Sequence, residues 1–149
     1  MSDSFCQANG RKVVSRASAK ELGTINHLLV DATARRIAAI VIGRGKKALL
    51  VDWAQLSGFG PDAVMVKDES SLRPPADERE QSAAGGDLDL LGRRALSEAG
   101  NELGKIDDVT FDAETGALED LVIGDRHVPA GSLLGSGSYA VVLDKNQEI

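Results

Sequence analysis

Residues Glu102–Ile123, ELGKIDDVTFDAETGALEDLVI, read as two β-strands joined by a tight turn. Asp112 opens the turn, where a carboxylate accepts bonds from the backbone amides that follow it, and Gly116 closes it, suited to a positive φ. The flanking runs Val109-Thr110-Phe111 and Leu118–Ile123 are β-favouring, with Val109 and Phe111 on one face and Thr110 and Asp112 on the other. Ile106 breaks that parity, so a β-bulge is expected at Asp107-Asp108.

A blurred copy of this hairpin lies at Glu21–Ile42. An offset of 81 carries Leu22-Gly23 onto Leu103-Gly104, Ile25 onto Ile106, Val30-Asp31 onto Phe111-Asp112 and Ile40–Gly43 onto Leu121–Gly124. After a gap the offset becomes 77, and Val51 meets Val128, Leu56 meets Leu133 and Ala63–Val66 meets Ala140–Leu143. Two copies are too few for a solenoid, so the pattern indicates tandem duplication of a small β domain. The first copy has no glycine in its turn (Asp31–Arg36), which predicts a looser or different hairpin there.

A chain of 149 residues packed as one body buries roughly 70% of its unfolded surface, whereas a copy of about 60 residues alone would be marginal. The copies are therefore expected to pack on each other or share strands. Aromatics are scarce (Phe5, Trp53, Phe59, Phe111, Tyr139), which calls for an aliphatic core. The single cysteine, Cys6, excludes an intrachain disulfide and suits a reducing compartment. No signal-like apolar segment opens the sequence, and Ile37–Ile42 is too short to span a membrane. A soluble, cytoplasmic, bacterial-type protein is expected. Net charge is uneven: ten Lys/Arg against five Asp/Glu up to Lys67, and seven against eighteen beyond it, giving +5 and −11 within a net −6. Ordinary surface variation accounts for this; complementary docking faces or self-association, including a homo-oligomer, are the sharper reading.

Along the chain, residues 1–10 are polar and expected to fray. The first copy occupies 12–67. Residues 68–88, with Pro74-Pro75, Gly85-Gly86 and many acids, form an expected flexible linker, since such a composition offers little burial against its ordering entropy. The second copy occupies 89–144. Short strands with turn signals and no long helical period predict an all-β protein of two tandem small antiparallel barrels with short helical turns.

Gly92-Arg93, Glu102–Val109, Asp112–Leu118 and Leu121–Ile123, continued by His127-Val-Pro129 and Tyr139–Leu143, resemble the PRC-barrel domain family. That family takes its name from the cytoplasmic domain of the photosynthetic reaction centre H subunit, and a similar barrel ends a ribosome-maturation factor. The second copy resembles it over nearly its whole length; the first is degenerate, with Val51-Asp52-Trp53 in place of Val128-Pro129-Ala130. The resemblance implies a protein-binding or scaffold barrel with no family-wide catalytic residue and no cofactor.

The residues themselves offer little chemistry. Asp107-Asp108 would point to opposite sides of a strand, and no calcium-loop pattern is present. His27, at the repeat position of Asp108, and His127 lack ligand-spaced neighbours. Cys6 with His27 makes a poor nucleophile–base pair if the tail is mobile. Gly131–Ser138 is glycine-rich but is no phosphate loop. The densest basic group, Arg35, Arg36, Arg44, Lys46 and Lys47, is the candidate partner-binding set; without interleaved aromatics, in an acidic chain, it does not suit sequence-specific nucleic acid. A basic strand edge that resists aggregation explains it equally simply. These residues favour a non-enzymatic adaptor or scaffold that binds another protein through its barrel surfaces. An accessory factor in ribosome or RNA–protein assembly, recruited through a protein component, is the alternative, and a metal-dependent hydrolase is a distant third.

Overall fold

The computed structural model describes residues 2–43, 47–86, 89–144 and 146. The chain opens with β1 (Ser2–Ser4) and one helical turn, α1 (Phe5–Ala8). The first copy follows as β2 (Lys12–Ser15), β3 (Glu21–Asp31), β4 (Arg36–Ile42), β5 (Leu49–Asp52), β6 (Leu56–Phe59) and β7 (Ala63–Val66). After α2 (Glu78–Ala84) come β8 (Arg94–Ser97), β9 (Glu102–Lys105), β10 (Asp108–Asp112), β11 (Leu118–Ile123), β12 (Arg126–Pro129), β13 (Leu133–Ser136) and β14 (Ala140–Leu143).

The duplication is visible in the strand order. The first copy forms one sheet, β5-β4-β3-β2-β7-β6. The second repeats it as β13-β14-β8-β9 and β10-β11-β12, because the long β3 is replaced by β9 and β10, interrupted at Ile106-Asp107. Where a bulge is expected at Asp107-Asp108, the strand breaks instead; the first copy bends at the same place by a register shift between Ile25 and His27. Each barrel is antiparallel except for one parallel pair, β2 with β7 and β8 with β14. The 3-10 turns Trp53–Gln55 and Ala130–Ser132 cause this, carrying the chain across the barrel end rather than back as a hairpin. Gly23 and Gly104 mark the tightest strand crossing. Their φ values are +150° and +130°; a Cβ on Gly104 would lie 2.9 Å from Ile123 Cγ2, and one on Gly23 would collide with the repeat-equivalent Ile42.

The predicted hairpin turn is present. Gly116 has φ +78°, and Asp112 Oδ1 accepts from the amides of Glu114 (2.7 Å) and Thr115 (3.4 Å), which hold its carboxyl below the usual range. The first-copy turn is not looser, contrary to expectation. Asp31 Oδ1 accepts from Thr33 and Ala34 at 3.0 and 3.1 Å, and Arg35 adopts φ +55° at the repeat position of Gly116. The same turn is thus built without its glycine, at the cost of about 1 kcal/mol of left-handed strain on a non-glycine residue.

Two further expectations change. Residues 2–8 do not fray: β1 joins the second copy's sheet by pairing with β10, and Phe5 and Ala8 are fully buried. Ser4 caps α1 by accepting from the Gln7 amide. The connector, in its described part 68–86, is packed on the first copy. Arg73 exchanges both backbone bonds with Leu50, and its guanidinium reaches Asp52 (2.8 Å) and Glu80 (2.7 Å). That pairing pulls the Glu80 carboxyl down to about 2. Ala83 and Ala84 of α2 cover Leu29, Ala39, Val41 and Leu50 on the outer face of β3–β5. This explains why β4 is apolar on both faces while its counterpart β11, with no helix over it, alternates with Glu119 and Asp120. The aliphatic core is interrupted by aromatics only where the two copies meet.

The arrangement has the logic of a two-fold dimer whose protomers are fused. The segment preceding each copy packs on the other copy: α1 on β10, α2 on β3. Between the hairpins, Ile37 N donates to Gly116 O and Leu118 N donates to Arg35 O, each at 2.9 Å. Every position in one bond lies 81 from its counterpart in the other, as an isologous contact requires. One continuous apolar core runs through both barrels, from Val13 and Ile40 to Leu121 and Leu143.

Candidate functional site

At the junction the two-fold is broken by aromatic side chains that only the first copy carries. Trp53 occupies the repeat position of Ala130, and Phe59 that of Ser136. The two rings stack, with centroids 5.3 Å apart at 27°. Both meet Phe111 edge-on, at 6.3 and 5.4 Å, and Phe5 closes the group at 5.7 Å from Phe111. Trp53 also lies directly over Gly116, its Cε2 only 2.8 Å from where a Cβ would stand. On the opposite side of the two-fold, Ala130 leaves room for the Arg35 side chain, whose Nε donates to Leu133 O at 3.2 Å. A ring over glycine on one side is balanced by a side chain over alanine on the other.

Beside this cluster opens a cleft of about 490 Å³ whose walls come from three parts of the chain: the N-terminal segment, the Trp53–Pro61 stretch, and the hairpin tip Ala113-Glu114. Trp53, Leu56, Phe59 and Pro61 give it an apolar floor. One wall holds an ion pair, Arg11 Nη1 to Asp3 Oδ2 at 2.6 Å, with side chains only 7% and 10% exposed. The Arg11 guanidinium also lies 5.3 Å from the centre of the Phe59 ring, a cation–π arrangement that helps fix both. Asp3 and Arg11 thus neutralise each other, while the carboxylate of Glu114 at the mouth has no ionic partner among the described residues.

The residues singled out in the sequence do not converge here. Arg35 and Arg36 face the other copy, Arg36 Nη2 donating to Thr115 O at 2.7 Å. They meet carbonyl oxygens rather than carboxylates, so the +5/−11 asymmetry is not what joins the barrels at this contact. Lys47 is exposed and precedes Leu49, which pairs with Ile42 at the far end of β4, about 20 Å from Arg36 by strand rise. Arg44 and Lys46 lie outside the described residues. Asp107 and Asp108 serve separate amides, those of Gly124 (2.9 Å) and Cys6 (3.0 Å). The Cys6 thiol donates to Asp107 O; partial burial, then Asp108 and its neighbouring acids, push it up, away from thiolate chemistry. His27 Nδ1 sits 3.0 Å from Asp89 Oδ2, joining β3 to the start of the second copy, and His127 lies near Asp120 on the surface. The described residues contain no group of three or more His, Cys, Asp or Glu placed to hold a metal ion.

Sequence reasoning passed over the cleft because its residues are scattered from Ser2 to Glu114. One signal was available. Trp53 and Phe59 are aromatic where the second copy has only Ala130 and Ser136, and a departure from an internal repeat marks a place where one copy does something the other does not.

The fold and the aromatic junction define a class: a tandem pair of small β-barrels fused about a pseudo-two-fold axis. The PRC-barrel domain model matches residues 4–73 and again 87–146, and the chain belongs to that family. Both repeats are thereby assigned, the degenerate first copy included. A comparison with curated proteins returned no match. No helix among the described residues is long and apolar enough to cross a membrane.

Proposed function

We propose that this chain is a non-enzymatic adaptor that binds another protein at the junction of its two barrels. The observation that carries this reading is the cleft: a fixed aromatic floor, walls drawn from both copies, and an internally neutralised ion pair. Such a site offers apolar area with little rotamer freedom left to lose, which is what recognition needs, and it presents no converging acid, base or nucleophile. Membership of a family whose barrel is a non-catalytic domain supports the same view. Arg35 and Arg36 are exposed but each donates to a carbonyl of the opposite copy, so the cleft is proposed as the main partner surface, with Arg35, Arg36 and the distant Lys47 as flanking contacts. The boundaries 12–67 and 89–144 are proposed as units of duplication rather than units that fold alone, and a cytoplasmic location, suggested by the lone Cys6, completes the proposal.

Affinity capture of the full chain from its source lysate, with nuclease treatment, tests this. One protein recovered near stoichiometry and unaffected by nuclease is expected. Salt-sensitive recovery of a ribosomal subunit would favour the assembly-factor alternative, and recovery of no partner would contradict both.

A further inference from the structure

Two walls of the cleft are edges of sheets. β6 ends the order β5-β4-β3-β2-β7-β6, and β1 ends the order β1-β10-β11-β12. All four residues of β6, Leu56, Ser57, Gly58 and Phe59, line the cleft, and among the described residues no strand pairs with its outer side. Free edges are ordinarily blunted by lysine, proline or a covering element, because their unpaired amides and carbonyls invite another strand. β6 carries no lysine or proline; it is short, and its pairing with β7 shifts register between Leu56 and Gly58, but Ser57 and Gly58 stay exposed. Gly58 is exposed, and a Cβ added there would meet nothing within 4 Å, so the face of the strand, on which the side chains of an added neighbour would also lie, is open at this point.

The repeat supplies an internal comparison. β13, with Gly135 at the position of Gly58, is also an outer strand, and a Cβ there likewise meets nothing. It has Ala130 and Ser136 where β6 has Trp53 and Phe59, so it offers an edge without an aromatic floor. Of the two repeat-equivalent strands, β6 alone combines backbone pairing capacity with a side-chain pocket, the two ingredients of strand-addition recognition, in which main-chain bonds give affinity and alternate side chains give specificity.

We propose that the cleft binds an extended peptide segment of a partner protein, which adds as a strand to the outer edge of β6. It seats an apolar side chain on Trp53 and Phe59 and directs a lysine or arginine toward Glu114. Charge selects the basic residue: among the described lining residues Asp3 and Arg11 cancel, leaving the Glu114 carboxylate as the uncompensated charge. This rests on the adaptor reading and gives its partner a chemistry.

The probe is a library of short random peptides displayed on phage and selected on the full chain. The recovered peptide is then synthesised, labelled and titrated by fluorescence anisotropy. Recovered sequences alternate apolar and other residues and carry a basic one. Gly58→Leu, which fills the open space without a collision, weakens binding by about tenfold or more, Glu114→Lys weakens it by roughly threefold, and Gly135→Leu leaves it unchanged. Thermal melting of Gly58→Leu matches wild type, and hydrogen exchange slows at amides of β6 when peptide is bound. A selection that yields no binding peptide, binding that survives Gly58→Leu, or β6 amides that stay unprotected would each overturn the proposal. The two readings separate cleanly. A lysate partner captured equally by wild type and Gly58→Leu leaves the adaptor standing and removes this site, whereas displayed peptides interrogate the cleft whether or not a natural partner is recovered.

Discussion

Gly116→Val is expected to lower the stability of the whole chain by about 3–5 kcal/mol, which lowers the melting temperature by roughly 10 °C or more. Two costs combine. A β-branched residue is poorly accommodated at φ +78°, and its Cβ would stand 2.8 Å from the Trp53 ring, where the hairpin of one copy docks on the other. Trp53 cannot retreat easily, because it is stacked on Phe59 and edge-on to Phe111. In a background of Trp53→Ala the same substitution should cost distinctly less, since only the backbone strain remains; that non-additivity is the signature of direct contact. A Val variant that melts like wild type would show that Trp53 does not press on this turn.

Phe5→Ala should be nearly as damaging, at about 3–4 kcal/mol. A polar N-terminal tail would make this change silent. Here Phe5 is fully buried and packs edge-on to Phe111 at 5.7 Å, while β1 before it supplies the outermost strand of the second copy's sheet. Its loss leaves a cavity between the barrels that the surrounding rings cannot collapse to fill. Denaturant melting reads the effect directly: a shifted midpoint is expected, and an unchanged one would mean that the N-terminal segment adds nothing to the core.

The hairpin at Glu102–Ile123 and the repeat were legible because they rest on local rules: alternation along a strand, an Asp-to-Gly turn, and apolar positions kept in phase across the chain. Those rules read each copy from its own residues. What they could not supply is what crosses from one copy to the other. Ser2-Asp-Ser4 reads as a polar tail, yet its register with Thr110–Asp112 is set by Phe5, whose partner lies far along the chain. The connector reads as unstructured because its alanines and its Arg73–Glu80 pair look ordinary until β3–β5 present a face for them to cover. The first-copy turn was misjudged for a different reason: a glycine is the easiest residue at its left-handed position but not a required one, and Arg35 adopts φ +55° where its repeat partner is Gly116. Arg35 and Arg36 read as a surface patch and both are exposed, yet each also donates to a carbonyl of the opposite copy. Nothing local announces such a use. The cleft follows the same pattern, since each wall is a short unremarkable strand and only their meeting makes a site.

The two copies form one body about their shared junction, and Trp53, the sole tryptophan, sits at that junction. Equilibrium urea unfolding followed both by its fluorescence and by far-ultraviolet circular dichroism is therefore the most direct measurement. The account predicts a single transition with coincident curves, and a denaturant dependence in keeping with burial across the full chain, about 1–3 kcal/mol per molar urea. Separate transitions, with the Trp53 signal lost while half of the β signal persists, would contradict it, because the barrels would then be folding as independent neighbours and the cleft between them would not be a fixed feature of the molecule.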